Sequence, residues 1–274
     1  MCELFAMSAR FPATVRLSFT ELARHGGATG PHGDGWGVAF QEDTDVRLLR
    51  EPTPASSSAC ATLLQHHEIQ SDSVIAHIRL ATQGGRALKN TQPFVRQLGG
   101  RMHTFAHNGR LDGIEQAMPL TGQRFRTVGD TDSEHAFCLL LEGLASLWQG
   151  GEVPPLAQRY DLVCAFAARV AELGPANFLY SDGDALFVHA HQRKQESGSF
   201  APPGLHLLFR VCERDELPLS TDAVQVIRSQ PEQEVALVAS VPLSPEAWLP
   251  LREGSVLAFR GGKLAAGALA AHPG

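Results

Sequence analysis

No apolar run in this 274-residue chain is long enough to cross a bilayer. Its first residues lack the basic stretch and apolar core of a secretory leader. No C-x-x-C pair occurs among the five cysteines, Cys2, Cys60, Cys138, Cys164 and Cys212. An odd, scattered set of this kind offers no disulfide framework and fits a reducing, cytoplasmic setting. No basic stripe is present. Lys and Arg total 23 against 29 Asp and Glu, a net charge of -6, so nucleic acid is excluded as an expected partner, and a membrane likewise. No G-x-G-x-x-G opens a helix after a strand, so the Gly-rich run Gly30 to Gly35 is not a phosphate loop. The pairs His66-His67 and His189-x-His191 have no acidic or cysteine companion at ligand spacing, so no metal and no cofactor is expected. No internal repeat and no shift in composition divides the chain. One domain over residues 1–274 is expected, with a loose Ala/Gly-rich tail at 264–274.

What is present reads as strands, then two helices, then strands. Cys2 to Met7 alternates as a strand does. Ser18-Phe19-Thr20-Glu21 is a capping box for a short helix that Gly26-Gly27 ends. Trp36 to Phe40 and Val46 to Arg50 form a hairpin, and Ser56 to His67 a helix. Ser73 to Leu80 is β-rich and mostly apolar, like a strand covered on both faces. Arg101 to His107 is another strand, and the Asn108-Gly109 that follows favours a tight turn with positive φ. Thr131 caps a helix with the apolar face Phe137, Leu140, Leu141, Leu144 and Trp148. Leu156, Tyr160, Val163, Ala167 and Val170 mark a second helix, stopped at Gly174-Pro175 and placed to pack antiparallel to the first. Cys138 and Cys164 fall within these helical patterns as inert core residues. Asn177 to Tyr180 and Ala185 to His189 flank Asp182-Gly183 as a hairpin. Leu205 to Val211, Glu234 to Val241 and Ser255 to Arg260 are strands, with 197–204 a loop. The order suits an α+β fold, with two stacked antiparallel sheets and helices outside.

Four patches are polar where a core has no need of it: Cys2, the strand end at Arg79 to Thr82, Asn108-Gly109, and Thr131-Asp132. If Met1 is trimmed, Cys2 carries a thiol and a free α-amine on one residue, a nucleophile with its own base. An α-amine titrates near 7.7–8.0 and a thiol near 8.5, so the proton can pass near neutrality, with a bridging water to relieve the poor geometry within one residue. A thiolate attacking an amide leaves an oxyanion, which the Asn108 side-chain amide and the Gly109 N–H can receive. Arg79 offers a planar fork for a carboxylate and Asp132 a charge for an ammonium. A substrate with a carboxylate, an ammonium and an amide is glutamine or a γ-glutamyl compound. The plainer alternatives are an ion pair at Arg79, a turn at Asn108 and an N-cap at Asp132.

In order along the chain stand Cys2, Ala76-His77-Ile78-Arg79-Leu80-Ala81-Thr82-Gln83-Gly84, Asn90-Thr91-Gln92-Pro93, His107-Asn108-Gly109 and Asp130-Thr131-Asp132-Ser133-Glu134. This set resembles the class II glutamine amidotransferases of the N-terminal-nucleophile hydrolase superfamily, as in the glutaminase domain of glucosamine-phosphate synthase. His32 to Gly37, the Asn177 to His189 hairpin and Val238 to Leu243 look like the stand-alone YafJ-like subgroup. The resemblance runs from Cys2 to about Lys263. It implies a four-layer αββα fold. It gives Cys2 the nucleophile's place, Asn108 and Gly109 the oxyanion hole, Arg79 the substrate carboxylate and Asp132 the substrate ammonium, with Leu80 and Thr82 lining the pocket. Gln83 and Gln92 depart from the pattern, standing where many relatives have histidine, so no proton shuttling is expected there. The implied activity is glutaminase chemistry through a Cys2 thioester. One alternative is hydrolysis of a larger γ-glutamyl amide, and another is a catalytically silent scaffold of the same fold. The tail leaves no room for an acceptor domain, so ammonia is expected to be released or passed to a separate acceptor subunit.

Overall fold

The computed structural model describes residues 1–17, 24–28, 30, 32–67, 69–81, 83–195, 197–212, 224–227 and 232–269. Its centre is β1 (Glu3–Leu17), a strand of 15 residues. Then come β2 (Trp36–Glu42), β3 (Asp45–Glu51), helix α1 (Ala59–His66), β4 (Gln70–Ile78), β5 (Phe94–Leu98), β6 (Arg101–Gly109), the one-turn α2 (Ile114–Ala117), α3 (Asp132–Leu144) and α4 (Leu156–Ala171). The rest is β7 (Ala176–Ser181), β8 (Leu186–Ala190), the short pair β9 (Arg193–Lys194) and β10 (Phe200–Ala201), β11 (His206–Cys212), β12 (Val224–Ile227), β13 (Gln233–Ala239), β14 (Leu249–Pro250), β15 (Ser255–Arg260) and β16 (Lys263–Ala266).

The strands form two large antiparallel sheets. One runs β14-β11-β13-β1-β4-β2-β3, with β12 also on β1, and the other β16-β15-β8-β7-β6-β5. Alternation along the strands sorts the apolar residues into three layers. Leu4, Ala6, Ile75, Ala236 and Val238 of the first sheet meet Ala106, Leu179, Val188, Leu257 and Phe259 of the second between the sheets. Phe5, Met7, Val74, Ala76 and Ile78 point the other way, toward Ala61 and Leu64 of α1. Phe105, Phe178, Tyr180 and Phe187 pack outward on Phe137, Leu141 and Leu144 of α3 and on Val163, Ala167 and Val170 of α4. Both faces of β1 and β4 are therefore covered, which is why Ser73 to Ile78 reads as one apolar run. Two stacked antiparallel sheets with helices outside is the α+β sandwich expected, and α3 and α4 pack on one another.

Several boundaries differ from the expectation. Asn108-Gly109 makes no turn. Both residues lie inside β6, opposite Asn177 and Ala176, and Gly109 does not take positive φ. Glycine is needed there for a different reason: a Cβ would lie 1.7 Å from the Pro175 carbonyl oxygen. The helix at 56–67 breaks at Ser58, whose Oγ accepts the Ala61 N–H and caps α1 behind a single 3-10 turn. The supposed loop at 197–204 holds β10. Leu264 and Ala266 of the supposed loose tail pair with β15. Cys138 is buried, but Cys164 is half-exposed. The capping box at 18–21 lies outside the described residues. Arg24–Ala28 forms one wide turn that leaves helical geometry at Gly26 and Gly27.

Candidate active site

The start of β1, the end of β4, the end of β6 and the start of α3 converge on Cys2. Antiparallel register pairs Glu3 with Ile78 and Leu4 with His77, which sets Cys2 opposite Arg79. The Cys2 thiol donates to the Leu80 carbonyl and accepts from the Leu80 N–H, both at 3.3 Å. Burial pushes the thiol above its ordinary value. The Leu80 bond, the nearby terminal ammonium and Arg79 oppose that, and Asp132 adds to it. A buried thiol of this kind is not a thiolate at rest and needs a base beside it.

Asn108 reaches across from the second sheet. Its Nδ2 donates to the Cys2 carbonyl at 2.6 Å and to Ser240 Oγ at 3.4 Å. Its Oδ1 is buried with no hydrogen-bond partner among the described residues. Ser240 Oγ also accepts the Leu4 N–H, so it ties Asn108 to the second residue of β1. Gln92 holds the preceding residue through both halves of its amide. Its Oε1 accepts the His107 N–H at 2.6 Å and its Nε2 donates to the His107 carbonyl at 3.2 Å. This clamp is main-chain work, needing a donor and an acceptor side by side, and explains how a glutamine serves at 92.

At the third corner, the Thr131 hydroxyl accepts the Glu134 N–H and caps α3. Asp132 is the first residue of the helix and not its cap. Its Oδ2 accepts the Leu111 N–H and its Oδ1 the Ser133 N–H, both at 2.8 Å. His107 meets Ser133 Oγ at 2.9 Å. Burial lowers the His107 pKa against the pull of Asp132, which keeps the ring neutral. Beyond Leu111 lies a cleft of about 250 Å³, lined by Gln83, Arg110, Ile114 and others.

Arg79 is 3% exposed and forms no ion pair with a carboxylate among the described residues. Its guanidinium donates to the carbonyls of Gln83, Gly84 and Gly85 at 3.0, 2.9 and 3.2 Å. The loop 83–85 is thus hung on Arg79. Asn90 fixes the same loop to the start of α3, giving an N–H to Gly85 and taking the Asp130 N–H. Asp34 accepts from the Ala81 N–H and from Arg86, and so fixes the other side of the strand end. Thr82 lies outside the described residues. Cys2, Leu80, Arg79, Asn108, Gly109 and Asp132 are all at this one place.

Sequence reasoning gave no role to Ser240, Asn90 or His77. Asn90 and His77 stood inside recognised motifs, which was signal enough to ask. His77 is fully buried on β4 and neither ring nitrogen has a partner among the described residues. Burial, with Arg79, His107 and His32 nearby, pushes its pKa down to about 3, so the ring is neutral. Among the described residues no group of three acidic, histidine or cysteine side chains is arranged to hold a metal.

The two glycines Gly109 and Gly143 give a clean test of this packing. Gly109→Ala drives a methyl into the Pro175 carbonyl and is expected to lower stability by about 3 kcal/mol or more. Gly143, exposed in α3 with nothing near its missing Cβ, is expected to gain up to about 1 kcal/mol as Gly143→Ala. Urea unfolding of both variants checks the pair. Equal stabilities would mean that β6 can shift away from Pro175.

A sequence model described as "Glutamine amidotransferases class-II" matches residues 1–273. The chain is 38% identical over 257 residues to the Escherichia coli (strain K12) protein YafJ, covering 93% of this chain and 95% of that one. The crystal structure of a predicted glutamine amidotransferase from Pseudomonas aeruginosa superposes with a TM-score of 0.68 at 31% identity, over 97% of this chain and all of that one. The glutamine phosphoribosylpyrophosphate amidotransferase of B. subtilis shares the fold at a TM-score of 0.58 and 16% identity, over 96% of this chain and 48% of that one. With the two-sheet sandwich and the cluster around Cys2, these likenesses establish that the chain belongs to the class II glutamine amidotransferases.

Proposed function

We infer that this protein hydrolyses the side-chain amide of glutamine through a thioester on Cys2 and releases ammonia. The observation that carries the reading is that the Asn108 amide sits on the Cys2 carbonyl and the Asp132 carboxylate lies near enough to act on the Cys2 thiol by its charge, from three separate parts of the chain. Met1 is removed in the active form, because a retained Met1 turns the Cys2 nitrogen into an amide, which is no base. The free α-amine takes the thiol proton and the thiolate attacks the amide carbon. The Asn108 amide and the Gly109 N–H receive the oxyanion. The proton then goes to the departing nitrogen, ammonia leaves, and water hydrolyses the thioester.

Arg79 and Asp132 recognise the amino-acid head, and Leu80 and Thr82 line the pocket. At rest the Arg79 fork is spent on the carbonyls of 83–85. Binding a carboxylate therefore exchanges neutral acceptors for a charged one, and the loop must yield as it does so. Ammonia is either freed or passed to a separate subunit docked at the site mouth, in a cytoplasmic setting. A γ-glutamyl amide larger than glutamine is the competing substrate.

The test is a panel assay on the processed chain with glutamine, γ-glutamyl amides and glutamine lacking its α-carboxylate. Slow but measurable glutamine hydrolysis is expected, with the decarboxylated analogue poor. Faster turnover of a larger γ-glutamyl amide would replace glutamine as the substrate. No turnover of any of them would leave a silent scaffold.

A further inference from the structure

The turn before β2 holds a histidine that the chemistry above does not use. His32 is buried, and both of its ring nitrogens face backbone carbonyls. Nδ1 lies 3.0 Å from His25 O and Nε2 lies close to Met1 O. A neutral imidazole has one N–H, so it can satisfy one of these carbonyls and not both. The His25 contact is built in. A Cβ on Gly30 would lie 2.7 Å from His25 O and 3.0 Å from His32 Nδ1, so glycine at 30 is what lets the two meet. The neighbouring His25 ring is itself tied at 3.0 Å to Glu3, the residue after Cys2. Burial would raise the Glu3 carboxyl, but the bond from His25, with the His25 and Arg193 charges, holds it below its usual value. Glu3, His25 and His32 are thus linked in a chain of contacts that ends on the carbonyl of the chain's first peptide bond.

The second contact changes with processing. Met1 O belongs to the amide whose nitrogen is that of Cys2. When Met1 is removed, the mismatched carbonyl goes, and an amine takes the amide's place. Resting on the Cys2 nucleophile reading above, we propose that His32 is a positioning residue for the Cys2 α-amine. Its Nδ1–H donates to His25 O, which fixes the tautomer, and its Nε2 lone pair accepts one N–H of the α-amine. That bond turns the amine's own lone pair toward the thiol and its bridging water. In the reaction the S–H bond breaks and the proton passes through water to the amine nitrogen. The ammonium then gives one proton to the departing amide nitrogen as the C–N bond breaks. His32 keeps its own proton throughout.

The experiment reads Cys2 without any substrate. Processed chain, with a Cys2 N-terminus verified by mass, is compared with chain produced under inhibition of methionine aminopeptidase, which keeps Met1. Each is alkylated with iodoacetamide at pH 7 and labelling is followed at Cys2. His32→Asn keeps a donor near His25 O and loses Nε2. His32→Gln restores a polar atom near the Nε2 position. In processed chain, His32→Asn is expected to slow alkylation about tenfold, the scale on which orienting partners act, with His32→Gln in between. In Met1-retained chain, where the Cys2 nitrogen is an amide and offers no base, neither substitution should matter. An equal effect in both forms would make His32 a purely structural residue, and an unchanged rate in processed chain would remove it from the site. Either variant alone supports the comparison if the other fails to fold. Because iodoacetamide needs no bound glutamine, the outcome is decided even if the chain turns over no glutamine, in which case only the glutaminase reading falls.

Discussion

Cys2→Ala is expected to abolish glutamine hydrolysis, with residual turnover no faster than the uncatalysed reaction. The other thiols cannot substitute. Cys138 is buried between the second sheet and α3, and burial pushes its pKa up to about 11. Cys60 and Cys164 also sit above their ordinary value, chiefly through burial. Only Cys2 adjoins a nitrogen that processing can turn into a base. A glutamine-derived diazoketone should therefore add one mass equivalent, at Cys2, and nothing to Cys2→Ala. Peptide mapping checks the position. Adduct at Cys60 or Cys212, or turnover surviving in Cys2→Ala, would overturn the nucleophile assignment.

Asn108→Ala carries the second large effect. Its Nδ2 spans the gap between the sheets to reach the Cys2 carbonyl, so the donor is already held within one residue of the reacting sulfur. Removing one oxyanion donor costs about 10²–10³ in kcat. The same change deletes a buried hydrogen bond and should cost about 1–3 kcal/mol of stability. The two losses separate by measurement. Kinetics on folded, processed protein reads the first and urea unfolding reads the second. Lost stability with native kcat would make Asn108 a tether between sheets and nothing more.

The comparison between Asn108-Gly109 as read and as found shows where sequence reasoning reaches its limit. Asn-Gly is a turn signal because of local φ preference, and the residues themselves permit that reading. What overrides it is the Pro175 carbonyl, 66 residues further on, pressing against Gly109 across β7. The helix faces of α3 and α4, the β7–β8 hairpin and the apolar β4 were legible, since each is set by a period that local sequence displays. The positions that meet around Cys2 stood out as ordered motifs, because their residue types are ones a core has no use for. Gln92 was visible only as a departure. Its clamp on His107 is a contact between separate elements, which no spacing encodes. Ser240 and His32 stood within the stretches at 238–243 and 32–37, but their contacts to Leu4 and Met1 were hidden for the same reason.

The register of β1 carries a consequence for when the nucleophile can be made. Phe5 pairs with Ala239 and Ala6 with Val238, so the first strand is closed into its sheet on that side by nearly the last part of the chain to be synthesised. Once it is closed, Met1 is half-buried, its sulfur against the Lys194 N–H and its carbonyl against His32. At the ribosome's pace of about 5–20 residues per second, roughly ten to fifty seconds pass between emergence of the N-terminus and arrival of β13. Trimming ahead of that closure has this interval. On the Cys2 reading proposed above, the α-amine then depends on a race between an aminopeptidase and translation, and a molecule that folds before it is trimmed keeps its Cys2 nitrogen as an amide.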